Sequence, residues 1–384
     1  LYITMRDTYM DCPDRERAQW WGDEVNELGE AFYALSPSGQ LLARKGILEL
    51  VNWQEANGVL YSPVPAGNRV IELPLQMLAS VGWYGFHTQY WFSGDSSFVA
   101  EVYPKVERYL FRSGLWRFQD NGLLKVRPGD WNWGDWGDDI DLEVLTNCWY
   151  YLALKSQKEF ARILGKEKDV ETIDALMKRI ADAFDAQYWT GSAYRDPNYK
   201  KQTDDRAQAM AVVSGLASAD RYPVLFETLK KEYHASPYME KYVLEALFKM
   251  GHADFAIERM KSRYAKMLGY DYTTLFEGWG IGSEGFGGGT INHAWSGGPL
   301  TILSQKLCGI EPTSPGFKTF EVRPQMGSLK TASASLETHF GMICVALSRK
   351  SAKSHVASLT IEVPEGTTAT VTTSNGNPKT FMSG

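Results

Sequence analysis

Polar and aromatic side chains concentrate at three places in the chain, and the first is residues 11–23, which read DCPDRERAQWWGD. Glu16 and Asp23 flank Trp20 and Trp21 there. Residues one or two turns apart on a helix share a face, so these acids would lie against aromatic rings. The plainer interpretation is the first turn of a helix that carries surface ion pairs, since acids in a first turn complement the helix dipole.

The second place, residues 129–139, reads GDWNWGDWGDD, with three tryptophans and four aspartates spaced by glycines. Such a run cannot form a core helix. Glycine lets a backbone approach a ligand closely, and Trp131, Asp135 and Trp136 could offer ring faces and a hydroxyl acceptor to a sugar. A tightly packed Asp/Gly turn is the structural alternative. A calcium loop is a weaker one, because the acids lack EF-hand spacing.

The third place begins with TTLFEGWG at residue 273 and, after a glycine-rich stretch, reaches NHAWS at residue 292. The glycines lack the Gly-Lys-Ser/Thr ending of a P-loop and do not follow a strand, so no phosphate or dinucleotide site is predicted. An active-site loop that carries Glu277 and Trp279 and leads to a helix headed by His293 explains them better. A lone histidine at a helix start is also common as a structural residue.

Helical periodicity dominates the chain from about residue 16 to residue 307. We predict eleven helices, with residues 1–10 as a candidate twelfth, and twelve helices in six hairpins would form an (α/α)6 barrel. The predicted spans are 16–35, 39–53, 70–93, 97–113, 139–165, 169–188, 204–218, 221–235, 238–250, 252–267 and 291–307.

The pattern changes near residue 308 to short runs punctuated by proline and glycine. Alternating segments at 317–322, 342–347 and 359–363 are typical of β-sandwich strands, and a final strand or an irregular end is expected after residue 367. The expected fold class is therefore mainly α. We predict an (α/α)6 catalytic barrel at residues 1–307 and a C-terminal β-sandwich domain, not necessarily complete, at residues 308–384.

Composition excludes several classes of protein. The 384 residues carry 40 basic and 46 acidic side chains, a net charge of −6. Nucleic-acid and anionic-membrane partners need a basic face, so neither is expected. No apolar run reaches the ~18–20 residues of a membrane span. The four cysteines lie far apart, without CxxC pairs or histidines at ligand spacing, so no disulfide framework or structural zinc site is predicted.

Glu16 and Glu277 form the candidate catalytic pair. The first and last hairpins of a closed helical barrel are neighbours, so the two acids can meet across one pocket near tryptophans. Two carboxyl groups in such a pocket suit glycoside hydrolysis, where one donates a proton to the leaving oxygen and the other activates water. This chemistry requires no metal ion and no organic cofactor.

The run at residues 11–23 resembles the DCPxRE(K/R)xxWxGD signature of the bacterial α-L-rhamnosidases, glycoside hydrolase family 78. TTLFE at residue 273 is similar to that family's TT(L/I)WE, and NHAWS to its histidine segment. Residues 309–324 are similar to its passage from barrel to C-terminal sandwich, so the resemblance covers nearly the whole chain. It implies a six-hairpin glycosidase with an inverting mechanism. Phe276 stands where the family usually has Trp, and Gln19 where Gly is common.

The resemblance also implies roles for individual residues. By position Glu16 matches the general acid and Glu277 matches the general base. We expect Glu16 to lie against apolar surface, which would raise its pKa. Inversion then predicts carboxyl groups ~6.5–9.5 Å apart. The candidate contacts of a terminal L-rhamnose are Asp11, Arg15, Trp20, Asp23, Trp131, Asp135, Trp136, Trp279 and His293. Whether Trp131 or Trp136 lines the rhamnose pocket stays open, because Gly-Asp-Trp occurs twice.

The expected function is that of an inverting exo-glycosidase that removes terminal α-L-rhamnosyl residues from plant-type glycosides or polysaccharides. Another inverting exo-acting specificity of the six-hairpin fold is one alternative, and a catalytically inactive carbohydrate-binding relative is another. We expect the family's N-terminal β-domains, absent from this sequence, to pack on the barrel. The sequence leaves the compartment open, and we favour a periplasmic or secreted bacterial protein.

Overall fold

A computed structural model describes residues 1–66, 71–282, 289–351, 358–373 and 377–382. The helices are α1 (Trp21–Ala34), α2 (Gly39–Asn52), α3 (Pro74–Val81), α4 (Phe86–Ser93), α5 (Val99–Glu107), α6 (Leu142–Ile163), α7 (Glu167–Tyr188), α8 (Asp205–Ser214), α9 (Tyr222–Leu229), α10 (Pro237–Lys249), α11 (Ala253–Leu268) and α12 (Gly298–Ile302). Single π-helical turns at Arg108–Arg112 and Leu303–Leu307 continue α5 and α12. None of the helices described has the length and apolar character that a membrane span needs.

Six helices form a closed inner ring. In the order α1, α3, α6, α8, α10 and α12, each packs against the next, and α12 packs back against α1. Inner-ring helices are surrounded by protein, and every residue of α3 and α8 is buried. The outer helices bury a single stripe, as in α7 with Ile173, Ile180, Phe184 and Tyr188 at helical spacing. The predicted helical barrel is thereby confirmed.

The C-terminal part is made of strands. They are β1 (Ile310–Pro312), β2 (Thr319–Val322), β3 (Thr331–Thr338), β4 (Gly341–Ser348), β5 (Ser358–Glu362), β6 (Thr368–Val371) and β7 (Lys379–Met382). One sheet has the order β1-β2-β6-β7 and the other β3-β4-β5, and of the paired strands only β2 and β6 run parallel among the described residues. The phenolic hydroxyl of Tyr33 on α1 donates to the Ile310 carbonyl at 2.7 Å and ties the sheets to the barrel.

The helix predicted over residues 70–93 is wrong as a single element, because α3 and α4 are separate. Residue 70 of that prediction lies outside the described residues. The chain turns between the two helices at Gly82 to Gly85. A Cβ atom at Gly85 would lie 1.9 Å from the Ser80 carbonyl oxygen, so no other residue fits without moving the backbone.

The ends of the barrel also differ from the prediction. Residues 1–10 form a three-residue 3-10 turn and a short bridge between Met5 and Tyr9 instead of a twelfth helix. Helix α1 begins at Trp21, five residues later than predicted, because Arg17 has a positive φ of 53° and Trp20 is extended. The last helix begins at Gly298 after a 3-10 turn, not at residue 291. Glu16 and His293 therefore lie in the loops that precede the first and last inner helices.

A buried ion network joins helices α8, α10 and α11. Arg259 Nε donates to Glu240 Oε1 at 2.7 Å, and its Nη2 donates to Asp205 Oδ2 at 2.7 Å. All three side chains are fully buried. A buried charge that loses its partner keeps its desolvation cost without the compensating attraction. The network therefore constrains how the inner and outer helices pack.

We predict that Arg259→Met lowers the free energy of unfolding by about 3–5 kcal/mol, because it removes the cation that lies closest to the buried carboxylates of Asp205 and Glu240. Urea unfolding followed by circular dichroism measures the loss. Lys261→Met on the same helix is the matched control, since Lys261 and Glu258 form an exposed pair, and its effect should stay within about 0.5 kcal/mol. Equal losses in the two variants would contradict the role of the network.

Candidate active site

The loop before α1 folds back on itself and presents Arg15 and Glu16. The Asp11 backbone N–H donates to the Ala18 carbonyl at 3.0 Å, and the Ala18 N–H donates to Asp11 Oδ1 at 2.9 Å. Arg17 takes the left-handed conformation that closes the turn. These bonds hold the acidic loop in one shape beside the start of the first inner helix.

A second pair of segments presents Glu277 and His293. The Glu277 N–H donates to the Thr290 carbonyl, and the His293 N–H donates to the Leu275 carbonyl, at 3.0 and 2.9 Å. The Trp295 indole N–H donates to the Glu277 carbonyl at 3.0 Å. These bonds fix the segment that carries Glu277 to the segment that leads into α12. Since α12 packs against α1, both segments lie beside the loop at residues 11–20.

Arg15 connects the two candidate catalytic carboxylates. Its Nε donates to Glu16 Oε2 at 2.6 Å, and its Nη2 lies 3.3 and 3.2 Å from the two carboxylate oxygens of Glu277. The two acids thus bind different nitrogens of one guanidinium, on neighbouring sides of one cavity. Their exposure differs, because 35% of the Glu16 side chain is open to solvent and only 1% of the Glu277 side chain.

A chain of hydrogen bonds supports Glu277 from behind. Thr290 donates its backbone N–H to Glu277 Oε2 at 3.0 Å, and its hydroxyl lies 2.8 Å from His293 Nδ1. His293 Nε2 lies 2.6 Å from Asp23 Oδ1 on α1. Burial lowers the pKa of His293, but the Asp23 carboxylate outweighs it, and the pKa lies above its usual value. Asp23 therefore favours the protonated form of this buried imidazole.

The cavity has a volume of about 250 Å³ and a wall of tryptophan rings. Trp133 stacks on Trp295 with ring centres 5.8 Å apart and planes 15° apart. Trp136 packs on Trp131 at 5.5 Å. The lining residues are Asp11, Arg15, Glu16, Trp20, Asp23, Leu73, Gln76, Trp131, Trp133, Trp136, Glu277, His293 and Trp295.

The structure brings most of the sequence-predicted residues together in this cavity, with both Trp131 and Trp136 in the lining. Asp135 and Trp279 are placed elsewhere. Asp135 is buried, forms an ion pair with Arg206 and accepts a hydrogen bond from the Ser236 backbone N–H at 2.8 Å. The Trp279 indole donates to the Ala235 carbonyl at 2.8 Å. Both side chains therefore anchor the segment before α10 and do not reach the cavity.

Sequence reasoning missed four lining residues. Trp133 lies two positions after Trp131 in the segment at residues 129–139, which we call the tryptophan loop, and Trp295 follows His293 by two positions. Their closeness in sequence to predicted site residues could have marked both as candidates. Leu73 and Gln76, at the start of α3, carried no local signal. They reach the cavity only because α3 is an inner-ring helix that packs against α1.

The expected raised pKa of Glu16 is wrong in direction. Partial burial raises it, but hydrogen bonds with Asp11 and Arg15 outweigh that effect, and the pKa of Glu16 lies below its usual value. Burial raises the pKa of Asp11 to about 7, and the nearby Asp23 carboxylate and Glu16 add to the rise. The proton of this acidic pair is consequently held on Asp11 and not on Glu16.

One group of potential metal ligands occurs among the described residues, formed by Asp11, Cys12 and His293. Its chemistry does not favour a metal ion. Both ring nitrogens of His293 already contact Asp23 and Thr290. Burial raises the pKa of Cys12 to about 12, so its thiol is neutral, whereas metal ions bind the thiolate.

Comparison with protein families agrees with this site. The family model of the bacterial alpha-L-rhamnosidase 6 hairpin glycosidase domain matches residues 2–307. The chain belongs to this family. The model of the bacterial alpha-L-rhamnosidase C-terminal domain matches residues 309–382. The bacterial α-L-rhamnosidase family comprises glycoside hydrolases, and in this member both matches together span nearly the whole sequence.

Known α-L-rhamnosidases align with most of this chain. It is 23% identical to an alpha-L-rhamnosidase of Alteromonas sp. (strain LOR) and 25% identical to one of Formosa agariphila. The alignments cover 88% and 94% of this chain but 39% and 40% of those proteins. The chain thus spans about two fifths of the length of these curated relatives.

Solved structures of the family share the fold. The alpha-L-rhamnosidase from Dictyoglumus thermophilum gives a TM-score of 0.82 at 22% identity, over 96% of this chain and 42% of that one. The GH78 rhamnosidase of Bacillus sp. GL1 gives 0.80 at 22% identity, over 97% and 40%. The Streptomyces avermitilis alpha-L-rhamnosidase complexed with L-rhamnose gives 0.76 at 23% identity, over 96% and 36%.

We predict that stability depends on pH through Asp11. Its pKa is raised from 3.8 to about 7, so folding holds this proton, and the contribution is present below about pH 4 and lost as the pH rises through 7. Asp11→Asn removes this loss. Unfolding free energies of the wild type and the variant, measured from pH 4 to 8, should therefore diverge in favour of Asn as the pH rises.

Asp14→Asn is the control for that titration, because it removes an exposed carboxylate from the same loop. Its pH profile should run parallel to that of the wild type. A parallel profile for Asp11→Asn as well would show that Asp11 does not hold the proton.

Proposed function

We propose that this chain is the catalytic part of an inverting exo-α-L-rhamnosidase, which releases terminal α-L-rhamnosyl residues from plant-type glycosides or polysaccharides. The observation that carries the proposal is the pair Glu16 and Glu277, held on one arginine at opposite degrees of burial in a tryptophan-lined cavity. Family membership supports the rhamnosidase assignment. Residues 1–307 would form the catalytic barrel and residues 308–384 the C-terminal β-domain.

Glu277 is suited to be the general base. It is deeply buried, and Arg15 and the Thr290 N–H bind its oxygens. In an inverting reaction, a water molecule beside Glu277 attacks the anomeric carbon and gives its proton to that carboxylate. The bond between the anomeric carbon and the leaving oxygen breaks in the same step, and the leaving oxygen takes a proton from the general acid.

Glu16 is suited to be the general acid because it lies at the exposed rim, where the leaving group must depart. Its proton can come from Asp11, which is protonated below about pH 7 and shares a hydrogen bond with Glu16. A substrate at the rim would displace water from Glu16 and raise its pKa. The pair therefore delivers one proton to the leaving oxygen in each turnover; afterwards Glu277 gives the proton of the attacking water to solvent, and the pair takes one proton back from solvent.

The buried end of the cavity is suited to a 6-deoxy sugar. Tryptophan faces can pack against the apolar methyl group and ring of rhamnose. Asp11, Asp23 and His293 would supply polar contacts in the same cavity.

The first prediction from this proposal concerns stereochemistry. Proton NMR of 4-nitrophenyl α-L-rhamnoside incubated with the purified protein should show the β-anomer of rhamnose first, because a single displacement inverts the anomeric carbon. If the α-anomer appeared first, inversion would be refuted but the rhamnosidase activity would still be supported. Turnover of other α-linked glycosides with no turnover of the rhamnoside would refute the sugar specificity.

The second prediction concerns the base. Glu277→Gln should lower kcat by several orders of magnitude, on the scale of about 10²–10⁴ for a general base, while the melting curve stays in place. Glu245→Gln is the matched control, since Glu245 lies inside the barrel bonded to Tyr84 and is not part of the cavity lining. Near-normal turnover by Glu277→Gln would remove Glu277 from the role of base.

A further inference from the structure

The loop that carries Asp11 and Glu16 closes around the side chain of Cys12. Cys12 is fully buried. Its thiol donates to Asp11 Oδ2 with sulfur and oxygen 3.0 Å apart, and the sulfur lies 3.5 Å from Glu16 Oε2. One thiol therefore lies between the two carboxyl groups that share the catalytic proton in the proposed function.

The sulfur is also an acceptor within this loop. The backbone N–H groups of Arg15 and Arg17 hydrogen-bond to it and slightly offset the rise in its pKa that burial causes. Because Cys12 stays a neutral thiol, its single S–H is shared between Asp11 at 3.0 Å and Glu16 at 3.5 Å, while the sulfur accepts from the backbone. Contacts of both kinds place the sulfur at the centre of the turn from residue 11 to residue 18.

One oxygen of Glu16 has two neighbours. Oε2 accepts a hydrogen bond from Arg15 Nε at 2.6 Å, and this cation favours the ionised form of the carboxyl group. The sulfur of Cys12 lies 3.5 Å from the same oxygen, and Asp11 shares a further hydrogen bond with Glu16. A side chain that is one third exposed has rotamer freedom to lose, so these contacts together decide where its oxygens point.

We propose that Cys12 is a positioning residue for the acid step, which holds the Glu16 carboxyl group in the orientation that delivers a proton to the leaving oxygen. The proposal rests on the proposed function, because it assigns Glu16 the role of acid. It limits the effect of Cys12 to protonation of the leaving group. The attack of water at Glu277 should not depend on it.

The test compares two substrates of different leaving groups. A 4-nitrophenolate leaves with little protonation, whereas the alkoxide of a rhamnosyl disaccharide needs a proton. Cys12→Ala should lower kcat/KM on the disaccharide by about tenfold or more beyond any loss on the aryl rhamnoside, a part of the ~10²–10⁴ that a general acid contributes. Cys12→Ser keeps a hydrogen-bond donor, so its ratio of kcat/KM on the disaccharide to kcat/KM on the aryl rhamnoside should return most of the way to the wild-type value.

Cys148→Ala is the matched control. Cys148 is fully buried on α6 and is not part of the cavity lining, so its truncation removes the same atoms without touching the loop. Its melting temperature should fall as that of Cys12→Ala does, with the ratio between the two substrates unchanged. A shift of the ratio in Cys148→Ala, or equal losses on both substrates in Cys12→Ala, would overturn the proposal.

A second measurement does not depend on activity or on the alanine variant. The infrared S–H stretching band of Cys12, assigned by its loss in Cys12→Ser, should shift in Glu16→Gln because the second acceptor of the shared S–H, the Glu16 carboxylate, is replaced by an amide. An unchanged band would overturn the contact with Glu16. Failure of the proposed function has a different signature, because the wild type would then hydrolyse neither rhamnoside while the band still shifted.

Discussion

The packing of α12 against α1 is the contact on which the site depends, because it closes the ring of inner helices. Closure brings the loop at residue 15 beside Glu277, 262 positions later in the chain, and Arg15 bonds both acids. Glu277 and His293 lie at the buried end of this arrangement, where little of either side chain is exposed to bulk solvent. An open arc of the same helices would leave each carboxylate on a separate surface.

The two acids differ in environment more than in type. Glu277 is buried and held by a cation, a backbone N–H and the hydrogen-bond chain through Thr290 and His293 to Asp23. Glu16 lies at the rim of the cavity, and Asp11, which shares a hydrogen bond with it, has the higher pKa of the two and so holds the proton more readily. In the proposed mechanism, Asp11 holds the proton and Glu16 donates it, so Glu16 can stay paired with Arg15 while a proton remains within reach.

The tryptophan loop depends on polar residues that never reach the cavity. Arg206 Nη2 donates to the carbonyls of Asp138 and Asp139 at 2.7 and 3.0 Å, and Arg206 also pairs with Asp135 and Asp204. A glycine-rich loop has little conformational preference of its own. A fully buried arginine that binds its carbonyls fixes the loop in one shape, so the tryptophan rings form a stable wall.

Local patterns in the amino-acid chain are enough to predict what kind of protein this is. Helical periodicity followed by alternating segments gave the barrel and the sheets, and the acidic runs around Glu16 and Glu277 gave the candidate pair, because these signals are local. Tertiary structure alone decided that Asp135 and Trp279 turn inward as supports and that Leu73 and Gln76 face the cavity. It also placed the shared proton on Asp11, because burial and the positions of neighbouring charges exist only after residues distant in the chain have packed together.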